Sequence, residues 1–102
     1  MKLLNYMLLK LTEMNEISSA EDLSINWCNK NKNWLSWQKY AGSDFSFDAA
    51  INCLARTRQR LSERHDKAGQ LGLVELEQLL SDYLFHKHKV SEIAYVVLEP
   101  EL

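Results

Sequence analysis

Between residues 30 and 39 the chain carries Lys30, Asn31, Lys32, Asn33, Ser36 and Lys39, a cluster of ammonium, amide and hydroxyl groups. Ammonium groups attract phosphates, while amides and hydroxyls offer donors and acceptors that match base edges. A set of this kind on the outer side of a helix suits a duplex major groove. It can act there only if an apolar set on the same stretch holds it outward. All three tryptophans, Trp27, Trp34 and Trp37, lie in the surrounding region, residues 19–40. Ser19 is placed to cap a first short helix, with Asp22 three residues on as the acid of a capping box. Leu23 and Trp27 share one face of that helix. Asn29 sits where the chain must reverse, being the non-glycine residue that best tolerates a left-handed backbone. Asn31 offers a second cap, and Trp34 and Trp37, three apart, are expected to turn inward. The pattern describes a helix-turn-helix whose second helix, near residues 31–40, presents the polar set.

Further elements must support that motif. Residues 2–14 read as a helix, with Leu4, Met7, Leu8, Leu11 and Met14 at three-and-four spacing. A short connection over residues 15–18 places Ile17 before the next cap. Residues 41–45 form a loop in which Gly42 stops the preceding helix. Ser46 then caps the longest helix, with Phe47, Ala50, Ile51, Leu54, Leu61 and Ala68 on one side and Arg56, Arg60, Glu63 and Arg64 on the other; its end is expected near Gly69. A fifth helix runs from Leu73 to about His86, lined by Leu76, Leu79, Leu80, Tyr83 and Leu84. Residues 90–98, VSEIAYVVL, are rich in β-branched types and favour a strand, although Ser91 and Glu92 could open a last helical turn. A strand there finds no partner elsewhere in the chain and would pair with a second copy across a dimer axis. The expected architecture is an all-α five-helix bundle: a helix-turn-helix domain over residues 1–68, and a C-terminal helix and tail over 69–102 that pack on the same core and serve dimerisation.

Composition bounds what such a chain can do. With 102 residues, 46% of them apolar, there is enough for one core and one domain. Net charge is −2, but it is unevenly spread. Residues 1–27 hold two lysines against four acids, residues 28–67 hold eight basic residues against four acids, and residues 68–102 hold two lysines against six acids. A basic middle between acidic ends is expected when one face meets a polyanion. The apolar run of residues 3–11 is interrupted by Asn5 and Lys10 and is too short to span a bilayer, so a cytoplasmic protein is expected. Cys28 and Cys53 suit a reducing compartment as small core residues, with a disulfide as the alternative. The row Arg56, Arg58, Arg60 and Arg64 is either a phosphate rail or the wet face of a long helix. His65, Asp66, His86 and His88 do not have zinc-ligand spacing, and helix-dipole partners are the plainer account of the two C-terminal histidines. No nucleophile motif, glycine-rich phosphate loop or cysteine pair at ligand spacing recommends an enzyme, a metal or a cofactor.

The helix order resembles the lambda-repressor-like group of DNA-binding domains, in which a loop ending in Ser leads to a helix opening like Ser46-Phe47-Asp48-Ala49-Ala50-Ile51. Residues 17–61 also resemble a family of small proteobacterial and phage proteins of unknown function, through Trp27-Cys28, Lys30 and Trp34-Leu35. The turn position usually held by Gly is here Cys28 or Asn29, and the apolar residue that normally follows is Lys30 or Asn29. The resemblance implies base contacts from Asn31, Lys32, Asn33 and Ser36 and phosphate contacts from Lys30 and Lys39. It implies a homodimeric, sequence-specific regulator of transcription that binds double-stranded DNA at a palindromic site. The alternative is a protein-interaction module, of the kind phage modulators and antitoxins use, that keeps the scaffold without DNA binding; the acidic net charge and the irregular turn favour it.

Overall fold

The computed structural model describes residues 2–88. Within them the regular structure is entirely helical. Helix α1 spans Leu3–Glu13; α2 spans Ala20–Asp22 and continues as a π-helical stretch, Leu23–Trp27; α3 spans Trp34–Ala41, α4 Phe47–Glu63 and α5 Lys67–His88. The strand or helical turn expected over residues 90–98, and its pairing across a dimer, lie outside the described residues.

Helix α1 buries Leu4, Met7 and Leu11, at the positions that the apolar spacing marks. Its first amides are satisfied by a residue some forty positions on: the two oxygens of Asp44 accept the N–H groups of Leu3 and Leu4, both at 2.9 Å. Asp44 also accepts the N–H of Phe45 at 2.9 Å. The loop that carries it is fixed at several points. Gly42 takes the left-handed backbone at φ 69° that ends α3, and the N–H of Ser43 reaches back to the carbonyl of Gln38. The Gln38 amide donates to the carbonyl of Asp44 at 2.7 Å, and the Tyr83 hydroxyl to that of Phe45 at 2.7 Å. Asp44→Ala strands three amide donors, so it is expected to cost about 2 kcal/mol. A thermal melt should fall by roughly 10 °C for a chain of this size, with Asp44→Asn recovering part of the loss.

Two boundaries differ from expectation. Helix α4 ends at Glu63 rather than near Gly69, and α5 begins at Lys67 rather than Leu73. Asp66 starts the new helix: its carboxylate accepts the N–H of Gly69 at 2.9 Å and its carbonyl accepts that of Gln70 at 2.9 Å. The longest helix is therefore α5, with 22 residues against 17 for α4, and residue 68 falls inside its first turn. Gly69 and Gly72 are notches in α5, not helix stops. A Cβ on Gly69 would overlap the side chain of Arg64, and one on Gly72 would lie 2.5 Å from the Met14 sulfur. Both are close-approach glycines.

The core-facing side of α4 is also rotated from the expected one. Ala49, Ala50, Cys53, Leu54, Ala55 and Thr57 are buried, whereas Phe47 is half-exposed and Ala68 exposed. Small side chains let α4 lie close against its neighbours, and Phe47, at the first turn, packs on the edge of His88 instead. Leu73, Leu76, Leu80 and Leu84 of α5 complete the core that all five helices share. Cys28 and Cys53 are both free and buried in it; burial and the adjacent Cys28 side chain push the Cys53 thiol well above its ordinary value.

Candidate nucleic-acid interface

The motif is assembled from its caps. The Ser19 hydroxyl accepts the N–H of Asp22 at 3.1 Å, and the Asp22 carboxylate reaches back to the N–H of Ser18 at 2.9 Å, a capping box displaced by one residue. Burial pushes Asp22 up, but its bonds from Asn26 and Ser18 outweigh that and hold it below the usual carboxylate value. Ser24, fully buried, donates its hydroxyl to the carbonyl of Ala20 at 3.0 Å. Such a back-bond competes with the backbone ladder, and here the ladder widens, the N–H of Cys28 bonding the carbonyl of Leu23 at 3.0 Å. Asn29 then takes φ 55°, reversing the chain where an asparagine was expected to do so.

The second helix begins later than the spacing suggests. The Asn31 side chain accepts the N–H of Asn33 at 3.0 Å, a local turn that holds residues 31–33 out of α3. Asn31 and Lys32 therefore sit in the turn, and α3 starts at Trp34. Its early amide is satisfied by tertiary contact: the Ser24 hydroxyl accepts the N–H of Leu35 at 3.2 Å, while the Ser24 carbonyl accepts that of Lys30 at 2.8 Å. Ser24 thus joins both helices and the turn. Sequence reasoning missed it; the signal was a hydroxyl beside Leu23 and four residues from Ala20, on the buried side.

Asn31, Lys32, Asn33, Ser36 and Lys39 are exposed. Lys30 is not available in the same way. Its ammonium bonds the Asp48 carboxylate at 2.5 Å, and this contact, with the Ser46 hydroxyl at 2.9 Å, holds Asp48 below the usual carboxylate value. Ser46 occupies the cap position of α4 but turns its hydroxyl to Asp48 rather than to the backbone. No ion pair engages Lys32 or Lys39 among the described residues.

The indoles do not share one fate. Trp27 is buried, with the Arg56 guanidinium 5.6 Å from its ring centre, and Trp34 is half-buried against Phe45. Trp37, expected inward, is 64% exposed, and Leu35, 1% exposed, anchors α3 in its place. With Leu35 inward, the helical period sets Trp37 and Tyr40 on the opposite side and Ser36 along its edge, while Asn33, the residue just before α3, is exposed at its N-terminal end. Tyr40 is 87% exposed and meets Trp37 edge-on at 6.3 Å between ring centres. The outward strip of α3 is thus amide, hydroxyl and aromatic, flanked by two free lysines.

The arginine row is engaged inside the fold. Arg60 and Arg64 clasp Glu16 at 2.7 and 2.9 Å, Arg64 also meets Asp66 at 2.6 Å and the Met14 carbonyl at 2.8 Å, and Arg58 meets Glu77 at 3.4 Å. As a continuous rail for phosphates the row is taken up. Among the described residues no group of three or more His, Cys, Asp or Glu converges as metal ligands would. A shallow cleft of about 340 Å³ opens between α1 and α5, lined by Leu3, Tyr6, Glu75 and Leu79, with the Tyr6 hydroxyl donating to Glu75 at 2.8 Å. None of the described helices is long and apolar enough to cross a membrane.

No curated protein and no solved structure matches the chain. A family model described as "Family of unknown function (DUF6626)" matches residues 4–93, and on that span the chain belongs to this family.

Proposed function

We propose that the protein binds double-stranded DNA through α3 and the turn before it, as a homodimeric regulator of transcription at a palindromic site, with a lambda-repressor-like arrangement of its helices. The observation that carries this is the outward strip itself: Asn33 and Ser36, with Lys32 and Lys39 beside them, face solvent with no ion-pair partner engaging either lysine among the described residues. Asn33 suits adenine, which an amide can meet with two hydrogen bonds, and the lysines suit phosphate or guanine acceptors. Asn31 has one oxygen lone pair already committed to Asn33, so Asn33 is the stronger base reader.

Because Lys30 and the arginines of α4 are engaged internally, few cations remain to displace counterions. Two lysines per protomer give a log–log salt slope of roughly −2, and about −4 for a dimer. Fluorescence anisotropy of a labelled duplex pool, titrated at several salt concentrations, tests this; absence of binding even at low salt removes the proposal, and a far steeper slope would mean that other cations make the contact.

A protein-interaction module is the second reading, favoured by the internal pairing of Arg58, Arg60 and Arg64 and by the exposed Trp37 and Tyr40, residue types that anchor protein interfaces. It predicts no duplex binding at any salt.

A further inference from the structure

Trp37 belongs neither to the core nor to the half-buried layer packed against it. At 64% exposure it stands at the middle of an eight-residue helix, with Ser36 along the edge of the same outward side and Asn33 exposed at the helix's N-terminal end. A bare indole at such a place costs solubility, and its one N–H donor cannot distinguish among the several acceptors that a major groove displays. Its ring is the informative part. The apolar group that B-form DNA presents in the major groove is the 5-methyl of thymine. Tyr40 meets the indole edge-on at 84° between planes and extends the aromatic surface along the helix.

The rest of the strip agrees in chemistry. Amides such as Asn33 suit adenine, and among residues 31–40 there is no carboxylate to accept the amino group of cytosine. We infer that Trp37 is a specificity-determining residue that packs on a thymine methyl, so that the site read by α3 holds an A·T pair at the position the indole meets. This rests on the duplex-binding reading above, and its test separates the two. The lysines flanking the strip favour a polyanion over a protein surface as the occupant.

The experiment uses a duplex recovered by selection from a randomised pool on the full-length protein. Each thymine of the recovered site is then replaced in turn by deoxyuridine, which removes the methyl and leaves every hydrogen-bonding group in place. Loss of one contacted methyl is expected to weaken binding about 4-fold. Trp37→Ala, folded by circular dichroism, is expected to bind the thymine and deoxyuridine duplexes equally. If native protein binds both equally, if the recovered site holds no thymine, or if Trp37→Ala still discriminates, the inference is wrong while duplex binding stands. If no duplex is recovered at low salt, duplex binding itself fails and the inference with it.

Discussion

Glu16→Ala is expected to lower the free energy of unfolding by about 3 kcal/mol, the lower end of what breaking a buried ion pair costs. The Glu16 side chain is only 4% exposed and is held by two guanidinium groups, Arg60 at 2.7 Å and Arg64 at 2.9 Å. Removing it leaves both cations, each roughly three-quarters covered, without their shared partner. It also leaves the connection between α1 and α2 tied to the end of α4, among the described residues, only through the bond from Arg64 to the Met14 carbonyl. Burial pushes Glu16 up, but the bonds and charges of Arg60 and Arg64 together outweigh it, so its folded value lies below 4.5. A carboxylate depressed in the folded state stabilises the fold fully above its unfolded value, and that contribution disappears as pH falls through the folded one. Urea midpoints measured at pH 7 and near pH 3 should converge for native protein and Glu16→Gln, because protonation removes in the native chain what the substitution removes permanently. A difference that persists undiminished at low pH would mean that Glu16 acts through packing rather than charge.

Leu35→Ala is the second large effect, about 3 kcal/mol, because it empties the one fully buried position of α3 and opens a cavity under the helix. Trp37→Ala should change stability by less than about 0.5 kcal/mol despite deleting a far larger side chain. Denaturant midpoints of the two variants decide which residue anchors α3. Comparable losses would place the Trp37 ring in the core and overturn the outward strip on which binding depends.

The contrast also indicates where the sequence was legible. Helix number and order followed from apolar periodicity, and the Ser19 cap and the Asn29 reversal followed from side-chain chemistry that acts within a few residues. Trp34 and Trp37 were harder. Residues three apart sit side by side, not superimposed, so whether both fall inside depends on which neighbour points to the core, and Leu35 is that neighbour. Gly69 was misread because a glycine that ends a helix and one that admits the side chain of Arg64 look alike in one dimension. The arginine row was ambiguous for the same reason: Glu16 lies 44 residues from Arg60, and no local pattern joins them. At the candidate site, the polar residues were visible by type, while the engagement of Lys30 by Asp48 and the role of Ser24 arise only when α2, α3 and α4 meet.

The most direct measurement is the affinity of the Lys32→Ala/Ser36→Ala double variant for a duplex that the native protein binds, by anisotropy at low salt, beside melts of both proteins. Loss of one phosphate-directed charge and one base-directed hydroxyl should weaken binding roughly 10- to 100-fold, with the melts superimposed. Unchanged affinity at unchanged stability would contradict the placement of DNA on α3.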